Sequence, residues 1–191
     1  MHPAETFRQS LLRLLEILSR HEVRFHLTGG IASVAYGEPR MTQDIDIVVD
    51  NPSMARATDA FLREAEAAGF MVDAASARRA IADRSMFQAY DMNEALKFDL
   101  YPRELIPGEL GRSTLLEVFG GVRLPVVSRP DAAASKLIWS SKGSHKSRRD
   151  LRHMTRSMTG AERAELVGFA RARGLDGLLD EILGEPDEIS G

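Results

Sequence analysis

The chain has 191 residues, with 25 lysines and arginines against 28 aspartates and glutamates, and no cysteine. The length suits one domain with a small appended part, and the lack of cysteine excludes disulfide scaffolds, Cys-ligated metal centres and thiol catalysis. No apolar stretch reaches the roughly 18 residues that a membrane-spanning helix needs. We therefore expect a soluble cytoplasmic protein without a membrane partner.

Helical and extended patterns alternate along the first two-thirds of the chain. In chain order they predict a helix over 5–20, a strand over 23–27, a helix over 31–36, a strand over 44–50, a helix over 53–68, and strands over 70–72, 86–90, 96–101 and 122–127. The remainder is helical, over 130–141, 147–157, 160–172 and 174–183. The sequence thus predicts an α/β core over 1–128 with a small helical part over 129–191 packed on it.

Two aspartates one residue apart open the strand predicted over 44–50. Alternate side chains of a strand face the same way, so Asp44 and Asp46 share one face. The isoleucines that follow them, Ile45 and Ile47, then face the core. Neighbouring carboxylates repel each other, and a hard divalent cation such as Mg²⁺ removes that repulsion. Taken alone, the pair also fits a solvated strand edge.

A glycine pair, Gly29-Gly30, lies between a predicted strand and a predicted helix, and thirteen residues separate it from Asp44. Without Cβ atoms, the backbone turns sharply there and approaches a phosphate closely. The helix that follows directs its free N–H groups and the positive end of its dipole at an anion. A glycine pair alone is a common turn, but its order with the Asp-x-Asp strand favours a phosphate cradle beside a metal site.

The stretch 27–50, LTGGIASVAYGEPRMTQDIDIVVD, resembles the signature of the nucleotidyltransferase fold superfamily. Within it, the run from Gly37 to Asp46 is similar to that of bacterial AbiEii-like and related minimal nucleotidyltransferases, a group that includes toxins of toxin–antitoxin systems. The resemblance implies a nucleotidyltransferase-like (polymerase-beta-like) mixed sheet with flanking helices and a small helical C-terminal part.

The superfamily expects a third carboxylate on a neighbouring strand, and Asp99 fits this expectation. Strand alternation places it on the same face as Lys97 and Tyr101. By resemblance, Asp99 completes a metal-binding triad and acts as general base toward the incoming hydroxyl. Asp83 and Asp91 are weaker candidates because they fall in predicted turns.

The resemblance assigns roles to the other motif residues as well. Asp44, Asp46 and Asp99 would hold Mg²⁺, with Mn²⁺ as the alternative ion, and Gly29 and Gly30 would cradle the phosphates of an NTP. Arg40 and Thr42 precede the aspartates on a predicted loop. Either they orient phosphate or metal-bound water, or Arg40 is simply exposed and Thr42 caps the turn.

Positive charge is concentrated in residues 129–156, which hold eight lysines and arginines against two aspartates. In the resembling families a lysine and a later Lys/Arg-Asp pair line the nucleotide pocket, which implies nucleotide-binding roles for Lys136 and for Arg149-Asp150. Three further cations would contact an RNA acceptor or form a solvated helix face: Lys142, Lys146 and Arg148.

Together, the residues and the resemblance predict a Mg²⁺-dependent nucleotidyltransferase that moves NMP from an NTP to an acceptor hydroxyl on tRNA or other RNA, a protein or a small molecule. By resemblance alone, it is a toxin with a cognate antitoxin. One alternative is a non-catalytic nucleotide-binding or interaction protein on the same fold. Another is a haloacid-dehalogenase-type phosphatase, whose DxDx[T/V] motif Asp44–Val48 matches, although that motif closes an apolar strand and the residues before Asp44 are polar.

Overall fold

The computed structural model describes residues 4–37, 44–119 and 121–186. The α-helices in these ranges are α1 (Ala4–Arg20), α2 (Gly29–Tyr36), α3 (Asn51–Ala67), α4 (Ala74–Asp83), α5 (Arg129–Ser141), α6 (His145–Arg156), α7 (Gly160–Ala172) and α8 (Asp176–Gly184). The strands are β1 (Phe25–Leu27), β2 (Asp44–Val49), β3 (Phe70–Val72), β4 (Phe87–Asp91), β5 (Leu96–Tyr101), β6 (Thr114–Phe119) and β7 (Val122–Val126). No helix within the described ranges combines the length and apolar character needed to cross a bilayer.

The strands form one mixed sheet in the order β3-β4-β5-β2-β1-β7-β6. β2 runs parallel to β5 and β1 runs parallel to β7, whereas the other neighbouring strands are antiparallel. The helices α3 and α4 pack against the β3–β4 side. The α/β mixed sheet with flanking helices that the sequence predicts is confirmed.

The inner face of β2 and β5 fixes how these two central strands pair. Ile45, Ile47, Phe98 and Leu100 are each 0% exposed. Burying an aliphatic or aromatic side chain of this size stabilises the fold by roughly 1.5–3 kcal/mol. A slip of one residue would turn these side chains to solvent and bury the aspartates between them, so the apolar residues also set the register of the charged face.

The chain divides into two compact units, which we call the first unit (Met1–Ile31 with Arg40–Val127) and the second unit (Ala32–Pro39 with Ser128–Gly191). The first unit contains the sheet with α1, α3 and α4. The second contains α5 to α8 and the C-terminal turns of α2. The packing of a helical part 129–191 on a core 1–128 stays a prediction.

One α-helix, one strand and a short 3-10 helix (Glu109–Arg112) were not predicted, and α2 begins earlier than expected. Helix α4 buries only Ala77, Ala80 and Ile81, so it lacks the wide apolar stripe that reveals a helix in sequence. Strand β6 is an edge strand with Leu115 56% exposed, which obscures a two-residue alternation. Helix α2 starts at Gly29 itself, so the glycine pair forms its first turn.

Asp91 was expected in a turn, but it is the last residue of β4 and is 0% exposed. Its carboxylate accepts a hydrogen bond from Ser10 Oγ at 2.5 Å and forms an ion pair with Arg13. Both partners lie on α1, so Asp91 fastens this helix to the sheet. Asp83, the other weaker candidate, is exposed at the end of α4.

Asp91→Asn should lower the free energy of unfolding by about 1–3 kcal/mol, because it removes the charge opposite Arg13 and leaves buried polar groups poorly paired. Urea denaturation measures this loss. Asp83→Asn is the matched control, with an expected change within about 0.5 kcal/mol. An Asp91→Asn protein as stable as the wild type would contradict the structural role.

Candidate active site

The pairing of β2 with β5 brings the predicted aspartates onto one face of the sheet. In this parallel register Asp46 lies directly opposite Asp99, and Asp44 lies opposite Lys97. The Asp44 side chain is 52% exposed, whereas that of Asp99 is 10% exposed. The face therefore runs from a solvent-accessible carboxylate to one that is largely enclosed.

Lys97 lies between two of these carboxylates. Its Nζ is 3.1 Å from Asp44 Oδ1 and 3.4 Å from Asp99 Oδ2. Partial burial alone would lower the pKa of Lys97. The hydrogen bond that the ammonium donates to Asp44 and the negative charges of Asp99 and Asp44 outweigh this effect and hold the pKa above its usual value. The ammonium therefore stays charged and offsets the negative charge of the face.

Asp46 is pressed against the start of α2. A Cβ atom built on Gly29 would lie 1.9 Å from Asp46 Oδ2, and Gly29 has a φ of +57°. The backbone carbonyl of Asp46 also accepts a hydrogen bond from the Thr28 N–H at 3.0 Å. Only glycine satisfies both the left-handed backbone and this close approach, so the glycine is required by the position of the carboxylate.

Tyr101 supports Asp46 from the neighbouring strand. Its phenolic oxygen donates to Asp46 Oδ1 at 3.2 Å. Burial, together with the negative charges of Asp46 and Asp99, raises the pKa of Tyr101 well above its usual value. The hydroxyl therefore stays protonated through the neutral and mildly alkaline range, and remains a donor to the carboxylate.

Two residues of β4 that the sequence analysis did not single out hold Asp99. Gln88 Nε2 donates to Asp99 Oδ1 at 2.9 Å, and Tyr90 Oη donates to Gln88 Oε1 at 2.5 Å. Both oxygens of Asp99 thus have partners, since Oδ2 contacts Lys97. Alternation along β4 places Gln88 and Tyr90 on one face, and this much can be predicted from sequence. Their contact with Asp99 cannot, because it depends on how β4 pairs with β5.

The predicted nucleotide-binding lysine belongs to the second unit. Lys136 Nζ is 2.8 Å from Asp150 Oδ2, and Ser33 Oγ donates to the same oxygen at 2.8 Å. The side chains of Lys136 and Asp150 are only 12% and 7% exposed. This largely buried ion pair joins α5 to α6 and to α2, and Arg149 beside it is exposed.

Arg148 does not have the exposed, uncompensated charge that an RNA contact requires. Its guanidinium bonds Glu181 Oε1 at 2.5 Å and Glu185 Oε1 at 2.6 Å, and Arg152 also pairs with Glu185. The acidic side chains of α8 therefore neutralise part of the basic segment. The other two candidates for RNA contact, Lys142 and Lys146, are exposed. Lys142 Nζ lies 4.8 Å from the centre of the Trp139 ring.

Gly30 is buried in the first turn of α2, whereas Arg40 and Thr42 lie outside the described residues.

Asp44 begins β2, so it does not stand at the end of an apolar strand as the phosphatase motif requires. Across 4–37, 44–119 and 121–186, no three or more His, Cys, Asp or Glu side chains stand close enough together to hold a metal ion.

Gly29→Ala tests the close approach of α2 to Asp46. We expect a loss of roughly 1–3 kcal/mol in the free energy of unfolding, because alanine disfavours the left-handed backbone and its Cβ displaces the carboxylate. Thermal or urea unfolding measures this loss. In the control Gly168→Ala, inside α7 with nothing within 4 Å of the added Cβ, stability should rise by up to about 1 kcal/mol. Equal effects of the two substitutions would contradict the contact.

Most of the chain matches a known protein family. Residues 13–172 match the family described as nucleotidyl transferase AbiEii toxin of type IV toxin–antitoxin systems. No curated protein sequence matches the chain.

Solved structures show the same fold at low identity. The antibiotic-resistance factor ANT(2'')-Ia in solution is 15% identical, with a TM-score of 0.62 over 94% of this chain and 100% of that one. An antigenic nucleotidyltransferase-like protein from Paracoccidioides brasiliensis is 14% identical, with a TM-score of 0.51 over 93% and 91% of the two chains. The resemblance read from the glycine pair and the Asp-x-Asp strand is confirmed: the chain is a nucleotidyltransferase that belongs to the AbiEii toxin family.

Proposed function

We propose that this enzyme transfers a nucleoside monophosphate from an NTP to an acceptor hydroxyl and releases pyrophosphate, with Asp44, Asp46 and Asp99 at the reacting centre. Membership of the family supports nucleotidyl transfer. The observation that carries the residue assignment is the register of β2 and β5, which sets Asp46 opposite Asp99 on the face that also bears Asp44.

The donor set fits Mg²⁺ in kind, and Mn²⁺ likewise. The three carboxylates offer the hard oxygen ligands that these ions prefer, and the chain has no cysteine to favour a softer metal. Asp44, Asp46 and Asp99 would hold the ion. When bound, it would stabilise negative charge on the transferred phosphoryl group and on the leaving pyrophosphate.

In the proposed reaction Asp99 accepts the proton of the acceptor hydroxyl. The acceptor oxygen forms a bond to the α-phosphorus, and the bond from that phosphorus to the bridging oxygen of the β-phosphate breaks. Pyrophosphate leaves with the electron pair of the broken bond. Gln88 would fix the orientation of Asp99 through its 2.9 Å hydrogen bond to Oδ1.

Phosphate binding is proposed for both units. Gly29 and Gly30 form the N-terminal turn of α2, where backbone N–H groups and the helix dipole favour an anion. In the second unit Lys136 and Arg149 supply positive charge. An ammonium has three N–H groups, so the contact of Lys136 with Asp150 is compatible with a further contact to a phosphate oxygen.

The role as a toxin, paired with a cognate antitoxin, is proposed from the family alone. Three acceptor classes follow from the reaction type: tRNA or other RNA, a protein, and a small molecule. Incubation of each NTP, labelled at the α-phosphate, with total RNA and with a protein extract distinguishes the first two classes. A labelled small molecule that is distinct from the NTP and from its NMP, formed when a metabolite extract is added, identifies the third.

Asp46→Asn should lower the rate of pyrophosphate release at least about a hundredfold, because charge stabilisation by a bound metal ion contributes several kcal/mol to such reactions. The assay contains Mg²⁺, the four NTPs and the acceptor fractions. Asp180→Asn on the exposed surface of α8 carries the same change of charge and should leave the rate unchanged. Equal rates for wild type and Asp46→Asn would overturn the proposed function.

The two roles of Lys136, in folding and in nucleotide binding, can be separated with one pair of variants. Lys136→Met alone removes the positive charge that pairs with the buried Asp150 carboxylate and should cost about 3–5 kcal/mol of stability. The double variant Lys136→Met/Asp150→Asn removes both charges and should recover most of that loss. Titration with a fluorescent NTP should show weakened binding by the double variant, measured well below its melting temperature. Binding equal to that of the wild type would restrict Lys136 to folding.

A further inference from the structure

We propose that Lys97 is a resident counter-ion of the candidate active site: in the metal-free protein its ammonium holds Asp44 and Asp99 together, and a divalent cation binds by displacing it. This inference rests on the metal site included in the proposed function. It adds a competition between a side chain and the ion that the comparisons do not address.

The first support is position. Lys97 Nζ lies 3.1 Å from Asp44 Oδ1 and 3.4 Å from Asp99 Oδ2, so one positive charge bridges carboxylates from two different strands. Without that charge, Asp44, Asp46 and Asp99 would leave three negative charges on one face of paired strands, and such charges repel each other. Lys97 thus places a positive charge beside two of the three carboxylates.

The second support is that the ammonium and a bridging metal ion exclude each other. A Mg²⁺ ion lies about 2.1 Å from its oxygen ligands, so an ion shared by Asp44 and Asp99 would occupy the space that Nζ fills. Two positive charges so close would also repel strongly in a partly buried site.

The third support is that Lys97 is able to leave. Its side chain is 30% exposed, so a route to solvent is open. Lysine carries a compact charge on a flexible four-carbon stem, and it bonds carboxylates as a point charge rather than through a fixed fork. Rotation of the stem would move the ammonium into water and leave Asp44 and Asp99 available to the ion.

The test measures the binding of Mn²⁺ alone, without nucleotide, by the electron paramagnetic resonance signal of the free ion. Lys97→Met keeps the length of the stem and removes the charge, so it should bind Mn²⁺ at least about tenfold more tightly than the wild type. Lys97→Arg keeps the charge and should bind no more tightly than the wild type. Lys146→Met, an exposed lysine of the second unit, controls for the change in net charge and should bind as the wild type does.

Thermal unfolding provides an independent readout. In EDTA, Lys97→Met should melt below the wild type because the carboxylates lose their counter-ion, and added Mn²⁺ should raise its melting temperature more than that of the wild type. Lys97→Gln, which retains N–H donors without charge, should change in the same direction and replaces the methionine variant if that protein does not fold.

Unchanged or weaker Mn²⁺ binding by Lys97→Met would overturn the proposal, as would a lack of Mn²⁺ binding by both proteins. Failure of the proposed function gives a different result. Tighter Mn²⁺ binding by Lys97→Met, with no pyrophosphate release by the wild type on any acceptor, would support the counter-ion and refute nucleotidyl transfer. Pyrophosphate release that depends on Asp46, with unchanged Mn²⁺ binding, would do the reverse.

Discussion

Negative charge on one face of β2 and β5 is the constraint on which the rest of the site depends. The side chains of Asp46 and Asp99 stand opposite each other, and Asp44 is one pleat away. Unpaired, these carboxylates would oppose the folding that brings them together. The Lys97 ammonium contacts Asp44, and the Tyr101 hydroxyl donates a hydrogen bond to Asp46. Lys97 and Tyr101 therefore hold the carboxylates in place.

The core beneath this face keeps the strands that carry the aspartates in one register. The isoleucines of β2 and the apolar residues of β5 are fully buried, so the register that aligns the aspartates is fixed by the core beneath them. Gly29 brings the first turn of α2 against Asp46, at a distance that no other residue permits. A site built on paired strands and a helix end is held more exactly than one built on loops. Precise placement of reacting groups is what phosphoryl transfer chiefly demands of a protein.

How much the sequence predicts depends on whether an interaction is local. The face shared by Asp44 and Asp46 follows from alternation within one strand, and the approach of a glycine pair to an anion follows from a short motif. The bridge from Lys97 to Asp44 does not, because it requires the register of β5 against β2. The ion pair of Arg148 with Glu181 on α8 is equally non-local. The sequence alone therefore overstates how much positive charge in the basic segment is accessible to an RNA. Helix α4 was not predicted because two of its three buried residues are alanines, which give only a weak apolar stripe.

The central claim is that the aspartates of β2 and β5 hold the ion that serves nucleotidyl transfer. Anomalous diffraction from crystals grown with Mn²⁺ and a non-hydrolysable NTP analogue tests it most directly. The account predicts an anomalous peak about 2.1 Å from carboxylate oxygens of Asp44 and Asp46, with Asp99 on the same side and the Lys97 ammonium moved away. A Mn²⁺ peak and a triphosphate bound elsewhere, with Lys97 still between Asp44 and Asp99, would contradict it.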